Sequence, residues 1–242
     1  MPKNLKIPKI IGHRGAKGFA PENTLTSFKK AKELGARWVE FDVKETQDSI
    51  LIVMHDDTLE RTTNGKGKVA NTNFLEIKKL DAGSWFHESF TNEKVPSFEE
   101  TIKLLNELKL GANIEIKPCP KKEEKTAILV AKVLQNLWPK ELPPPIVSSF
   151  SMESLVAAKK VFPELIIGAL FETLPIDWNS IAKSVQANTI HIDHENISDE
   201  KILEIINENY PVLAYTVNDT KRANELFKTG VTSIFTDFPW KE

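Results

Sequence analysis

Short apolar runs alternate with amphipathic stretches along the chain, and this alternation constrains the fold more than any other feature. Between the runs, apolar residues recur at intervals of three and four, which indicates helices with one buried face. Strands that alternate with helices indicate a parallel sheet. The eight apolar runs are Lys9–Gly12, Arg37–Val43, Ala112–Ile116, Ile146–Ser149, Leu165–Leu170, Thr189–Ile192, Val212–Val217 and Ser233–Thr236.

Eight strand–helix units in 242 residues match the size of a (β/α)8 barrel. A doubly wound open sheet is the alternative, because periodicity does not distinguish the two. Helix starts are marked by Ser97, Ser151, Ser198 and Asp219, which stand where an N-cap belongs. We therefore predict one α/β domain over residues 1–242, with a (β/α)8 barrel as its fold.

A further apolar run breaks the alternation. Ile50–Met54 follows the second strand too closely for a helix to intervene, so we predict an antiparallel return strand after a tight turn. This hairpin would bring His55 opposite Glu40 or beside Asp42. Residues 56–95 then form a small insertion rich in Thr, Asn, Gly and Lys. A segment of that length inside a compact domain is usually functional or a small subdomain.

The charge balance and the cysteine content limit function and location. Lys and Arg total 32 against 34 Asp and Glu, a net charge of −2, which argues against a protein that coats nucleic acid. The single cysteine excludes an internal disulfide framework. No run approaches the roughly 20 apolar residues that span a bilayer, and the first residues lack the apolar region of a signal peptide. We expect a cytoplasmic protein without stable membrane insertion; the sequence does not fix its oligomeric state.

Two carboxylates stand two residues apart in a predicted barrel strand. Glu40 and Asp42 therefore share one face, and in a parallel strand flanked by helices that face is the barrel interior. Burial of carboxylates is costly unless they are paired or bind a metal, and Mg²⁺ and Ca²⁺ take such oxygen ligands. Glu115 and Lys117 repeat the pattern in the next barrel strand. There a plain salt bridge and a metal ligand beside a phosphate-binding cation are equal alternatives.

Basic side chains stand at strand ends, where a barrel places its chemistry. His13 and Arg14 directly follow the first strand, and His55 closes the return strand. Phosphodiester hydrolysis needs one group to activate a nucleophile and another to protonate the leaving alkoxide, and imidazole suits both tasks near neutral pH. Arg14 and Lys117 would then hold the phosphoryl charge. The competing interpretation is a hydrogen-bonded histidine and an arginine in an ordinary ion pair.

These residues lie in blocks that resemble the glycerophosphodiester phosphodiesterase family of the bacterial type. The blocks follow the family's order from residue 10 to residue 239, so the resemblance covers nearly the whole chain. They are Gly12-His13-Arg14-Gly15, Pro21-Glu22-Asn23-Thr24, Glu40-Phe41-Asp42-Val43, His55-Asp56-Asp57-Thr58-Leu59-Glu60-Arg61-Thr62-Thr63, Gly65-Lys66-Gly67, Leu80-Asp81-Ala82-Gly83-Ser84-Trp85-Phe86, Glu115-Ile116-Lys117, Ser148-Ser149-Phe150, Tyr215-Thr216-Val217-Asn218 and Thr236-Asp237-Phe238-Pro239.

The resemblance implies a TIM barrel with a small insertion after the second strand. It implies hydrolysis of a glycerophosphodiester to sn-glycerol 3-phosphate and an alcohol such as choline or ethanolamine, with one divalent metal ion, Mg²⁺ or Ca²⁺. The roles that it implies are acid–base catalysis for His13 and His55, metal ligation for Glu40, Asp42 and Glu115, and phosphate binding for Arg14 and Lys117.

Three residues in the last third of the chain receive other interpretations. For His191 and His194, on either side of Asp193 around the end of the sixth barrel strand, an ordinary polar loop is the favoured interpretation, and a place in the lining of the site is the alternative. Tyr215 stands where the family often has tryptophan, and the smaller ring could alter how the glycerol or head group is held.

Two other functions fit the same residues. A lysophospholipase D-type enzyme would act on lysophospholipids at a membrane surface and would need an apolar rim, for which Trp85, Phe86 and Phe90 are candidates. A non-catalytic barrel could bind a phosphorylated ligand, because barrels host many functions. The complete set of histidines, carboxylates and cations favours catalysis over binding alone. Water and the 2-hydroxyl of the substrate are both open as the nucleophile.

Overall fold

Pairing of the first strand with both the second and the last closes the sheet into a barrel. The computed structural model describes residues 6–241. Its 8-strand parallel barrel is a TIM barrel, as predicted, and not the doubly wound open sheet. The strands are β1 (Ile10–Gly12), β2 (Trp38–Glu45), the added antiparallel β3 (Leu51–Val53), β4 (Gly111–Ile116), β5 (Ile146–Ser149), β6 (Ile166–Phe171), β7 (Thr189–Asp193), β8 (Val212–Tyr215) and β9 (Ser233–Thr236).

Helices connect the barrel strands and cover the outside of the sheet. The predicted N-cap residues Ser97, Ser151, Ser198 and Asp219 each accept a hydrogen bond from a backbone amide in the first turn of a helix. Within residues 6–241, no helix combines the length and the apolar content that crossing a membrane requires. The helices are α1 (Leu25–Glu33), α2 (Phe74–Ile77), α3 (Phe98–Leu108), α4 (Glu123–Leu137), α5 (Met152–Val161), α6 (Trp178–Ser184), α7 (Asp199–Asn207) and α8 (Thr220–Thr229).

Alternation along β2 determines which side chains enter the barrel. Val39, Phe41 and Val43 pack into the apolar core that includes the surrounding helices. Trp38 instead belongs to the separate apolar cluster of the barrel interior. Because successive side chains of a strand point to opposite faces, Glu40 and Asp42 point to the same side as Trp38. The interior cluster comprises Ile11, Trp38, Ile146, Ile166, Leu213 and Phe235.

The return strand β3 pairs antiparallel with the carboxyl half of β2. Val53 lies opposite Val43, and the amide of Met54 donates to the carbonyl of Asp42 at 3.0 Å. This register places His55, the next residue, at the carboxyl end of the barrel beside Asp42. The hairpin is therefore the element that carries a histidine to the same end as the acidic side chains.

The segment after β3 packs around a small apolar cluster of its own. Asp81 organises its second half, because Oδ1 accepts from the amides of Gly83 and Ser84 at 2.8 Å each, and Oδ2 accepts from that of Asn92 at 2.7 Å. We propose that residues 56–95 are an insertion within one domain, since this cluster joins them to β3 and to the loop after β4. The cluster comprises Ile52, Met54, Leu59, Val69, Ile77, Ala82, Val95 and Cys119.

We expect Asp81→Ala to lower the free energy of unfolding at pH 7 by at least about 1.5 kcal/mol, because three amides lose a charged acceptor. Burial by itself raises the pKa of Asp81, but the amides of Asn92, Ser84 and Gly83 lower it to about 2. A lowered pKa stabilises the fold above the ordinary carboxyl value, and this contribution disappears as the pH falls towards the folded value. Urea unfolding should therefore give free energies of unfolding for wild type and variant that converge as the pH falls below about 4.

The matched control is Glu107→Ala, which removes an exposed acid from α3. We expect it to change the free energy of unfolding by less than about 0.5 kcal/mol at every pH. A difference between wild type and Asp81→Ala that stays constant down to the acid limit would contradict the role given to the Asp81 carboxylate.

Candidate active site

A cavity of about 210 Å³ opens at the carboxyl ends of the barrel strands. The predicted site residues other than Asp42 line it directly, and Asp42 is buried beside them. The structure therefore brings together residues that are up to about a hundred positions apart in the sequence. The lining residues are His13, Arg14, Glu40, His55, Asn113, Glu115, Lys117, Phe150, Leu170, His191, Tyr215, Thr216 and Phe235.

Three buried carboxylates form the acidic part of the site. One oxygen each from Glu40, Asp42 and Glu115 lies within 4.8 Å of the other two. The backbone amide of Arg14 donates to Glu40 Oε2 at 2.9 Å, and Asn23 Nδ2 donates to Asp42 Oδ2 at 2.8 Å. These bonds orient the carboxylates while leaving oxygen lone pairs directed towards one another, which is how a cation would be enclosed.

Electrostatics within this cluster favour a bound cation. Burial, and then the charge of Asp42, raises the pKa of Glu40 well above its ordinary value and that of Glu115 to about 7. Asp42 shifts the other way: burial raises its pKa, but Arg14, His55, Lys117 and the hydrogen bond from Asn23 together lower it by more. Lys117 Nζ lies 3.0 Å from Glu115 Oε1 and 3.8 Å from Asp42 Oδ1. Two cations thus face three carboxylates, and a hard divalent ion fits the remaining charge and the all-oxygen donor set.

His13 is held by a carboxylate from the other end of the chain. Its Nδ1 lies 2.7 Å from Asp237 Oδ1, and Asn218 Nδ2 donates to Asp237 Oδ2 at 2.9 Å. Burial raises the pKa of Asp237, but the hydrogen bond and charge of His13, together with Asn218 and Lys17, outweigh it and lower the value to about 2. An ionised carboxylate only accepts hydrogen bonds, so Nδ1 carries the proton and Nε2 is the acceptor, 4.0 Å from Glu40 Oε2. Burial lowers the pKa of His13, which favours this neutral form.

His55 is held in the same way by its own neighbour. Its Nδ1 lies 2.7 Å from Asp56 Oδ1. Arg61 donates to both oxygens of Asp56, at 2.6 and 2.9 Å. The same guanidinium also donates to both oxygens of Glu22, at 2.8 Å each. Glu22 also accepts from Arg14 Nη1 at 2.6 Å. A continuous chain of ion pairs therefore connects the cation Arg14 with the orientation of the His55 ring.

The turn after β1 depends on a glycine. Gly15 has φ +89°, and a Cβ at this position would lie 2.3 Å from Ser27 Oγ. That hydroxyl accepts from the amide of Ala16 and donates to the carbonyl of Arg14, each at 2.9 Å. The close approach of α1 to this turn fixes the backbone of Arg14, so only glycine fits after the His-Arg pair.

Aromatic and aliphatic side chains form the opposite side of the cavity. Phe150 and Tyr215 pack edge to face with ring centroids 6.0 Å apart, and Lys117 Nζ lies 5.6 Å from the Phe150 centroid. The Tyr215 hydroxyl donates to the carbonyl of Phe171 at 2.9 Å, so its ring rather than its hydroxyl faces the cavity. The cavity therefore has a charged half and an apolar half.

The interpretation of His191 as part of a polar loop is wrong. It lies within β7, is fully buried and lines the cavity. The alternation Thr189, His191, Asp193 against Ile190 and Ile192 carries the same signal that identified the inward face of β2. His194 does lie in the loop after β7, and its Nε2 is 3.1 Å from the carbonyl of Thr216.

Sequence reasoning also missed the groups that orient the two histidines. Asp56, Arg61 and Asp237 stand in blocks that carried the resemblance, yet no role was inferred for them. The available signal was an acidic residue directly after His55. For His13 there was none, because its partner is 224 positions away.

Comparison with known proteins agrees with this fold. The model of the glycerophosphoryl diester phosphodiesterase family matches residues 13–241. A glycerophosphodiester phosphodiesterase of Caldanaerobacter subterraneus subsp. tengcongensis is 36% identical over 234 residues, which cover 95% of this chain and 94% of that protein. One from Bacillus subtilis is 35% identical and covers 95% of this chain and 83% of its own.

Solved structures give the same result. A phosphodiesterase of Oleispira antarctica, in complex with the product sn-glycerol-3-phosphate, superposes with a TM-score of 0.94 and 37% identity over 96% of this chain and 94% of that one. The chain belongs to the glycerophosphoryl diester phosphodiesterase family. The prediction that it is an enzyme of this class, a phosphoric diester hydrolase, is confirmed.

The Arg61 fork should matter for turnover because it fixes Asp56, which fixes His55. We expect Arg61→Gln to lower kcat for a phosphodiester by up to about 100-fold, since a misplaced catalytic group can cost that much, with little change in KM. Arg61→Lys keeps the charge without the planar fork and should recover part of the loss. Steady-state kinetics that show wild-type kcat in Arg61→Gln would contradict this role.

Proposed function

We propose that this chain hydrolyses glycerophosphodiesters to sn-glycerol 3-phosphate and an alcohol. The observation that carries the proposal is one cavity in which two carboxylate-oriented histidines face a cluster of three acidic residues and two cations. Further support comes from the Oleispira antarctica phosphodiesterase, whose structure holds the product sn-glycerol-3-phosphate. The apolar half of the cavity suits the carbon skeleton of such a ligand.

In this proposal Glu40, Asp42 and Glu115 hold one divalent metal ion, Mg²⁺ or Ca²⁺. When bound, such an ion neutralises negative charge on the phosphoryl oxygens and on the attacking oxygen. The donor set supports this assignment, because the pKa values of Glu40 and Glu115 are raised first by burial and then by repulsion from Asp42, and a bound cation would oppose both effects. Arg14 and Lys117 flank the same cluster and bind the phosphate group through charge-assisted hydrogen bonds.

His13 and His55 supply the proton transfers. One neutral Nε2 takes the proton of the attacking hydroxyl as the new P–O bond forms. The other imidazole, in its protonated form, gives its proton to the oxygen of the leaving alcohol as the old P–O bond breaks. Asp237 and Asp56 stabilise the imidazolium in each case and keep Nε2 directed at the cavity. The negative charge of a bound diester opposes the effect of burial and favours protonation of one ring.

We expect His13→Ala and His55→Ala each to lower kcat/KM for glycerophosphocholine by about 10²- to 10⁴-fold, the usual contribution of a general acid or base. The fold should persist, as judged by circular dichroism, because both side chains border a cavity. His87→Ala is the matched control, since His87 is exposed on the insertion and should leave the rate unchanged. Full activity in both active-site variants would contradict the assignment.

Metal dependence has a separate test. We expect chelated protein to release no glycerol 3-phosphate from glycerophosphocholine and to recover turnover when Mg²⁺ or Ca²⁺ is added back. The same ions should not restore Asp42→Asn, which removes a charge from the donor set. Turnover by metal-free wild type at the restored rate would exclude an essential cation. Hydrolysis of lysophosphatidylcholine in preference to glycerophosphocholine would instead favour the lysophospholipase D alternative.

A further inference from the structure

Three residues that line the active-site cavity each carry a buried polar atom without a hydrogen-bond partner among residues 6–241. One of these atoms is Arg14 Nε, which lies 3.5 Å from Asp42 Oδ2 in an ion pair. The other two, Asn113 Oδ1 and His191 Nδ1, have no such charged partner. The two residues are 1% and 0% exposed. Neither belongs to the metal, phosphate or acid–base groups proposed above. Buried polar atoms are nearly always paired, so two unpaired ones on a single cavity point to a ligand group that completes them.

A hydrogen bond to a neighbouring side chain fixes the orientation of the Asn113 amide. Nδ2 donates to Ser148 Oγ at 2.9 Å, which leaves Oδ1 as an acceptor. Asn113 precedes Glu115 by two positions on β4 and therefore lies one inward position deeper in the barrel. The unpaired carbonyl thus belongs to a residue that lies one inward position deeper than Glu115 and opposite Glu40 in the register of β2 and β4.

The ring of His191 is fixed on three sides. Its Nε2 lies 2.9 Å from Thr189 Oγ1, and its ring packs against Phe235 with centroids 5.4 Å apart. Gly168 leaves the space for it, since a Cβ there would lie 2.6 Å from Nε2. Burial lowers the pKa of His191 to about 3, so the imidazole is neutral. Its Nδ1 is then a donor or an acceptor, according to which partner donates in the bond to Thr189.

Hydroxyl groups satisfy both atoms. One hydroxyl donates to the Asn113 carbonyl, and a second one donates to or accepts from His191 Nδ1, according to the tautomer of the ring. A phosphate oxygen offers no proton to Asn113, and an ammonium group accepts no hydrogen bond. Leu170, Phe235 and the ring face of Tyr215 line the same cavity and suit C–H groups. A ligand that presents both C–H groups and hydroxyl groups to this cavity is a polyol.

We propose that Asn113 and His191, which line the same cavity, form a hydroxyl-binding subsite that holds the free hydroxyl groups of the glycerol moiety. This inference rests on the proposed function and adds to it the element that selects a polyol ester over a simple alkyl ester. The phosphate group is then held by Arg14 and Lys117 at the mouth, and the glycerol moiety extends inwards from it.

The test compares two substrates that differ only in these hydroxyls, glycerophosphocholine and n-propylphosphocholine. We expect wild type to prefer glycerophosphocholine in kcat/KM. We expect His191→Phe and Asn113→Leu each to lower that preference about tenfold, the effect of one lost hydrogen bond. His87→Phe, the same substitution at an exposed histidine, should leave the preference at its wild-type value. Binding of glycerol 3-phosphate and n-propyl phosphate, measured without turnover, should show the same loss of discrimination.

The outcomes separate this inference from the proposed function. Equal kcat/KM of wild type for the two substrates overturns the subsite, whether or not the variants fold. Equal losses on both substrates in the variants also overturn it, because they indicate a structural role for Asn113 and His191. Failure of wild type to hydrolyse glycerophosphocholine, while it hydrolyses another phosphodiester, overturns the proposed function and the subsite with it. A lowered preference in both variants, with wild-type preference in His87→Phe, supports the subsite.

Discussion

The close placement of three buried carboxylates at the carboxyl ends of the barrel strands is the constraint on which the rest of the site depends. One oxygen each from Glu40, Asp42 and Glu115 lies within 4.8 Å of the other two, and all three side chains are buried, which weakens the screening of their charges by water. Arg14 and Lys117 compensate part of that charge, and burial with repulsion raises the pKa of Glu115 to about 7. The negative charge that remains is the basis of the divalent-cation site that we propose.

Much of the surrounding structure holds that cluster and the two histidines in position relative to one another. The Gly15 turn fixes Arg14 against α1, and the β2–β3 hairpin carries His55 to the same end of the barrel. Arg61, at the start of the insertion, ties Asp56 to Glu22. The insertion therefore contributes to the site through ion pairs rather than by lining the cavity. It shares an apolar cluster with β3, which makes its packing and the position of His55 interdependent.

Local periodicity predicted the strands, the helices and the inward face of β2, whereas the choice of a closed barrel and the assignment of Glu115 to the acidic cluster also needed the number of units and the family resemblance. Alternation in β2 placed Glu40 and Asp42 inside the barrel, and the end of β1 placed His13 and Arg14 at its mouth. Long-range partners were not accessible in this way, because the contact between Asp237 and His13 arises only when β9 closes the barrel beside β1. His191 was misinterpreted because the polar residues around it suggested a loop. The alternation of polar and apolar residues in β7, interpreted as in β2, predicts that His191 points into the barrel.

Calorimetric titration of metal-free protein with Mg²⁺ and with Ca²⁺ is the direct measurement of whether the three carboxylates bind a cation. We predict that one ion binds per chain of wild type, and that Asp42→Asn, which loses a charge but keeps its shape, abolishes the binding. The measurement does not depend on the identity of the substrate. A folded wild-type protein that binds neither ion would contradict the claim that the three carboxylates are held together to enclose a cation.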